Sequence, residues 1–239
     1  MPDTIVVERV SQVTTIRFNR PQVLNAINPD MHLELQAAFD EFAVDGAQRI
    51  CVITGAGERA FSVGTDLKAG ARDKGFTYPR HGYGGLVERF DLYKPVIAAV
   101  NGLCLGGGFE IALACDLILA SESASFGLTE PRVGAVALAG GVHRLVRHIG
   151  LKRAMGYLLT GARISPAEAW QLDLVNEVVP QPDLEYAVQR WCKEILAAAP
   201  LPAMVEFRGH ARRRAGLWRE TSPGMEGPLS ASNLTYSHK

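Results

Sequence analysis

Two glutamates stand where a carboxylate can do more than solvate a surface. Glu110 lies in "NGLCLGGGFEIALACD", residues 101–116, directly behind three consecutive glycines and between Phe109 and Ile111. Glu130 follows in "ASFGLTEPRVGAVALAGG", between an apolar run and Pro131. A glutamate on so apolar a segment is expected to be at least partly buried. Burial without a partner raises its pKa toward values useful for proton transfer. Each residue also has a plainer reading. An acid in a helix's first turn is favoured by the dipole by roughly 0.3–1 kcal/mol. A lone Glu130 reads as a loop acid or a partner of Arg132. Taken together, the two suggest acid and base groups flanking one reacting centre.

The glycines supply a second kind of chemistry. Backbone without a Cβ approaches a ligand closely. A helix that begins behind it points unpaired N–H groups and the positive end of its dipole outward. Such a backbone can hold a carbonyl oxygen or a developing oxyanion. Other chemical motifs are weaker. "GAGERA", residues 55–60, fits a dinucleotide-binding G-x-G-x-x-A, but "FSVGTDL" follows where that motif needs a helix. The histidines include no HExxH, and His143 and His148 do not share a helix face, so no metal site is expected. No G-x-S-x-G elbow marks a nucleophile; Ser62 sits in "AFSVG".

The elements that must position these groups alternate between strand and helix. "TIVVERV" and "VTTIRFN" read as a hairpin around Ser11-Gln12. Asn28 as N-cap and Pro29 at the first helical position open a helix whose apolar face is Met31, Leu35, Ala38, Phe39 and Phe42. "RICVITG" is a buried strand, and "KPVIAAVNG" another. Between them, residues 69–85 form a polar, glycine-rich loop expected to cover a ligand, followed by a short helix over "LVERFDLY". Helix "GGFEIALA" leads to strand "CDLILAS", a short strand near "ASFG", and helices over "AGGVHRLVRHIG" and "KRAMGYLLTG". "SPAEAWQLDL" begins with a capping-box pattern, Ser165, Pro166 and Glu168. Strand "VNEVVP" and the amphipathic helix "DLEYAVQRWCKEILAAAP" complete an α/β pattern, with Leu184, Ala187, Trp191 and Ile195 on one side of that helix.

The 239 residues suit one sizeable domain or one domain with an appendage. A formal net charge of +0 gives no broad field for nucleic acid or an anionic membrane, and "HARRRAG" reads as a solvated helix face or ragged tail. Cys51, Cys104, Cys115 and Cys192 form no disulfide framework. No secretory pattern or spanning run is present, so the expectation is a soluble, cytoplasmic protein.

The motifs carry a resemblance. "KPVIAAVNGLCLGGGFEIALACDLILASESASFGLTEPRVG" resembles the signature of the enoyl-CoA hydratase/isomerase, or crotonase, family. "ITGAGERAFSVGTDL" resembles that family's thioester-binding hallmark, and "IRFNRPQVLNAIN" and "LLTGARISPAEAWQLDLVNEVV" also match its patterns. The resemblance spans roughly residues 4–200. It implies an α/β spiral of ββα units with C-terminal helices. Residues 1–200 would form the acyl-CoA-binding catalytic core and 201–239 an atypical C-terminal segment. It implies a homotrimer or homohexamer, no metal and no redox cofactor, with coenzyme A as part of the substrate. The backbone amides of Thr65 and Gly107 would form an oxyanion hole, with Gly106 beside it. Thr65 stands where the family often has alanine, and only its N–H is required. Leu24, Ala26 and the stretch holding Ser62, Gly64, Asp66, Leu67 and Lys68 would contact the CoA moiety.

The resemblance assigns water activation to Glu110 and proton supply at Cα to Glu130, with both tasks shareable between them. The implied reaction is reversible hydration of a trans-2-enoyl-CoA to a 3-hydroxyacyl-CoA. Isomerases of the family can work with the second glutamate alone; carnitinyl-CoA dehydratase-type members share much of the central string. A non-catalytic acyl-CoA-binding paralogue is the rival from another class. A ClpP-like protease would need a Ser-His-Asp set. Two departures stand out. Leu138 replaces a glycine near the expected water and acyl site, and reads either as a pocket wall or as a core leucine. The C-terminal "GLWRETSPGMEGPLSASNLTYSHK" lacks the family's usual closing helices.

Overall fold

The computed structural model describes residues 3–70 and 76–198. The C-terminal segment 201–239, with its basic cluster, and part of the expected ligand-covering loop lie outside these residues. The hairpin forms as expected: β1 (Ile5–Val10) pairs antiparallel with β2 (Val13–Phe18). α1 (Pro29–Val44) starts where Asn28 Oδ1 accepts from the Met31 amide at 3.2 Å. Its five expected apolar residues are all buried. β3 (Ile50–Gly55) is buried throughout, and β4 (Ala60–Ser62) follows. A short α2 (Leu67–Gly70) precedes the loop.

β5 (Val96–Val100), β6 (Leu103–Leu105), α3 (Gly107–Ala114), β7 (Leu117–Ser121) and β8 (Ser125–Gly127) make the centre. α4 (Gly141–Ile149), α5 (Leu151–Thr160), α6 (Pro166–Gln171), β9 (Glu177–Val179) and α7 (Leu184–Ala198) complete the described chain. The strands form two sheets. The larger runs β1-β2-β3-β5-β7-β9 and is parallel beyond the hairpin; the smaller runs β4-β6-β8, all parallel. Parallel strands buried on both faces read as continuous apolar runs, as "RICVITG" and "VIAAV" do. One face of the large sheet joins the main core with α1, α3 and α4; the other packs on Leu184, Val188 and Cys192 of α7.

One expectation needs correction, and two strands carried no signal in the sequence. Residues 86–93 form turns, not a helix. Leu86, Val87, Arg89 and Leu92 are all buried, so this segment has no single apolar face to lay down as a helix. Short β4 and β6 lie in stretches where the sequence pattern marked no strand. They exist because each finds a partner across the small sheet. At α6, Ser165 Oγ accepts from the Glu168 amide at 3.2 Å, as the capping pattern predicts. The Glu168 carboxylate instead accepts from Tyr157 Oη at 2.6 Å.

Candidate active site

α3 is buried on every side, from Gly107 to Ala114, and Glu110 is the one acid it carries. The glycines before it allow this placement. Gly106 has φ 53° and ψ −130°, and its amide donates to the Gly127 carbonyl at 2.9 Å. That bond ties the start of α3 to β8. A Cβ on Gly108 would overlap the Ser62 carbonyl, so the helix rests directly on β4. The run of three glycines therefore lets a helix N-terminus enter the space between two strands.

The loop from Ser62 to Asp66 arrives at the same place. Ile27 and Thr65 form a parallel bridge, with the Ile27 amide donating to Gly64 O at 2.8 Å and the Asp66 amide to Ile27 O at 2.9 Å. Gly64, at φ 84°, sits so close that a Cβ would lie 2.7 Å from the Gly107 amide nitrogen. This packing brings the backbones of Thr65 and Gly107 together. Neither amide donates to a partner among the described residues. For Gly107 the reason is general: the first N–H groups of a helix have no intrahelical acceptor.

Both glutamates flank this point. Glu110 is 3 % exposed, and its Oε1 accepts from the Gly141 amide at 2.9 Å. Burial pushes its pKa up to about 7; the Gly141 hydrogen bond and Arg144 oppose the rise, and the charge of Glu130 adds to it. Glu130 opens a single turn of 3-10 helix, Glu130–Val133, and its carboxyl lies against Gly106. Burial raises its pKa as well. Glu130 Oε2 is buried with no hydrogen-bond partner among the described residues. A carboxylate oxygen in that condition is a strong acceptor.

The remaining expected ligand residues separate into two groups. Leu24, at φ 56° and half buried, and Ala26, buried, lie in the turn that leads to Ile27, which braces Gly64 and Thr65. Leu67 and Lys68 are exposed at the start of α2. Asp66 immediately precedes α2 and accepts from the Ala69 amide at 3.1 Å and from Arg20 Nη1 at 2.9 Å. Ser62 is fully buried, its hydroxyl donating to Asn25 O at 2.8 Å and accepting from the Gly64 amide at 3.1 Å. Its side chain shapes the loop from within. Leu138 is 65 % exposed, so the core-leucine reading fails. Its neighbour Ala137 is the buried residue there.

Sequence reasoning passed over Tyr83. Its ring is buried, with Oη 3.0 Å from Thr65 Oγ1. A Cβ on Gly107 would overlap its Cζ and Oη. Burial holds the phenol well above its ordinary pKa, and the charges of Tyr78, Glu110 and Glu130 add to that rise. The signal was "GYGG", a tyrosine between glycines, hidden in the loop expected to cover a ligand.

The chain is similar to known proteins. The family model described as enoyl-CoA hydratase/isomerase matches residues 8–217. A carnitinyl-CoA dehydratase of Salmonella typhi is 39% identical over 203 residues, covering 84% of this chain and 77% of the relative. An (E)-benzylidenesuccinyl-CoA hydratase of Thauera aromatica is 39% identical over 204 residues, covering 84% and 78%. Among solved structures, a carnitinyl-CoA dehydratase from Mycobacterium avium superposes with a TM-score of 0.82 at 40% identity, covering 91% of this chain and 84% of that one. An enoyl-CoA hydratase from Mycobacterium tuberculosis gives 0.83 at 34% identity, covering 91% and 84%.

Proposed function

This chain belongs to the enoyl-CoA hydratase/isomerase family, and from that premise we propose that it is a hydro-lyase adding water reversibly to a trans-2-enoyl-CoA. The observation that carries the proposal is the pair of buried Glu110 and half-buried Glu130, whose Oε2 is buried without a partner among the described residues, beside the unpaired amides of Thr65 and Gly107. The thioester oxygen sits between those amides, with Leu24, Ala26, Leu67 and Lys68 along the CoA moiety. Water adds at Cβ, and electron density moves through the conjugated system onto the thioester oxygen. The amides bind that developing charge more strongly than the ground-state carbonyl, so they lower the barrier.

Hydration takes one proton from water and delivers one to Cα. The glutamate pair therefore begins and ends each turnover with a single proton. Glu110 accepts from water and Glu130 supplies Cα, or the two exchange these tasks through the water they share. Dehydration runs the same steps backward, which suits relatives named as dehydratases. An isomerase would need only Glu130, and the burial of a second acid at Glu110 favours the hydro-lyase reading. Coenzyme A enters as part of the substrate. Association into trimers or hexamers belongs to the same proposal.

The test is loss of the conjugated-enoyl absorbance of crotonyl-CoA with purified protein, Glu110→Gln and Glu130→Gln. Wild type should consume the substrate, and each variant should fall by at least about a hundredfold, as expected for acid–base groups. Binding of crotonyl-CoA without turnover by wild type would instead favour a non-catalytic acyl-CoA-binding protein.

A further inference from the structure

We infer that the Tyr83 hydroxyl is a third hydrogen-bond donor to the thioester oxygen, a side-chain member of the oxyanion hole oriented by Thr65. The inference rests on the acyl-CoA reading above. Its basis is position. The Tyr83 Oη lies against the Cα of Gly107 and bonds to the side chain of Thr65. It thus bridges the two residues whose amides converge. Each hydroxyl can donate once and accept. With Thr65 Oγ1 donating to Tyr83 Oη, the phenol proton is free to point at the oxyanion. That proton is shared, not transferred, because the phenol stays protonated.

Packing alone does not call for this hydroxyl. Thr65 is exposed and can bond to water, whereas the Tyr83 side chain is buried. Phenylalanine would fill the same space without bringing a hydroxyl that must find a partner.

The fold also fixes the ring with unusual care. Gly82, Gly84 and Gly85 all have positive φ, at 72°, 61° and 63°. They turn the chain on both sides of Tyr83, and Gly85 lies against the backbone of Gln36 in α1. The Gly84 amide donates to Nδ1 of buried His32 at 3.0 Å. Burial pushes the His32 pKa down to about 4, so it remains a neutral acceptor. The His32 ring meets the Tyr83 ring edge-on at 4.6 Å. Arg89, buried beneath, donates to Gly85 O at 2.9 Å and to Asp40 Oδ1 at 2.6 Å. A donor held this firmly needs no reorganisation when charge develops, which is what makes such groups effective.

The experiment compares wild type, Tyr83→Phe and Thr65→Val, the last keeping the amide while removing the orienting hydroxyl. Two readouts are taken: crotonyl-CoA kinetics, and the absorption of bound 4-dimethylaminocinnamoyl-CoA, whose band moves to the red as its thioester carbonyl is polarised. Tyr83→Phe should lower kcat by about a hundredfold, the scale of losing one oxyanion donor, with KM within about twofold, and should shrink the red shift. Thr65→Val should shrink the red shift by less. Unchanged kcat and red shift in Tyr83→Phe overturn the inference while leaving the hydro-lyase reading intact. If wild type does not hydrate crotonyl-CoA but shifts the probe, and Tyr83→Phe does not, the donor assignment stands and the hydro-lyase reading falls. If wild type shifts nothing, both fall. Should Tyr83→Phe fail to fold, the Thr65→Val red shift decides: reduced supports the donor, unchanged overturns it.

Discussion

Keeping Glu110 out of water makes this protein sensitive to pH in two ways. The first concerns activity. The reaction needs one carboxylate and one carboxylic acid, and the pair titrates as a unit. With Glu130 ionised, Glu110 holds its proton up to about pH 7. Above that value the pair loses its last proton. The value of kcat/KM should therefore fall as pH rises beyond it, giving the alkaline limb of a bell-shaped profile. A profile flat to about pH 9 would count against the pair acting together. The second concerns stability. In the unfolded chain the same carboxyl titrates near 4.5. Between 4.5 and about 7 the folded state binds more protons, so stability falls as pH rises through that window. The loss is on the order of 3 kcal/mol. Glu110→Gln removes the cost and keeps an acceptor for the Gly141 amide. Urea denaturation should find the variant more stable than wild type at about pH 8, with the gap closing toward about pH 4. An equal gap at both pH values would refute this account.

At the scale of elements, α3 shows how glycine decides where a helix can go. Gly108 touches the Ser62 carbonyl with no room for a methyl group. Gly108→Ala should cost about 1–3 kcal/mol from overpacking, or more if β4 cannot shift. Gly156 gives the opposite case. It lies within exposed α5, and a Cβ there meets no atom within 4 Å. Gly156→Ala should stabilise by about 0.5–1 kcal/mol through helix propensity. Denaturant midpoints of the two variants should move in opposite directions. Elements with a local signal were legible: Asn28 and Ser165 cap helices, and the 3.6-residue spacing of Met31, Leu35, Phe39 and Phe42 fixed the buried face of α1. Elements held only by distant partners were not. β4 and β6 are three residues each and exist through pairing across the small sheet. Residues 86–93 carried a helical residue mix, but burying Leu86, Val87, Arg89 and Leu92 takes them through turns.

At the scale of the whole molecule, a row of apolar residues on α5 remains exposed. Leu151, Met155 and Leu159 are spaced four apart on α5 and are 59 %, 36 % and 72 % exposed. Val133, in the turn that packs beside α5, is exposed too. Clusters of this kind mark contact surfaces, and the proposed trimer or hexamer gives a second copy as the occupant. Sedimentation should find an assembly larger than a monomer, and Leu159→Asp should shift it toward smaller species. A monomeric wild type would dismiss that proposal.

The linear order of residues determined the chemistry available to this protein. It set a glutamate behind three glycines, a second glutamate after a strand, and the two hallmark strings that identify the family. These signals are local, because a helix start, a turn and a motif need only neighbours in sequence. The tertiary structure alone decided which of these groups meet. It turned Ser62 inward, pushed Leu138 outward, closed Gly64 onto the Gly107 amide, and brought Tyr83 to Thr65. Each of those outcomes depends on segments distant in sequence competing for the same space, and on which of them the packing allows to approach.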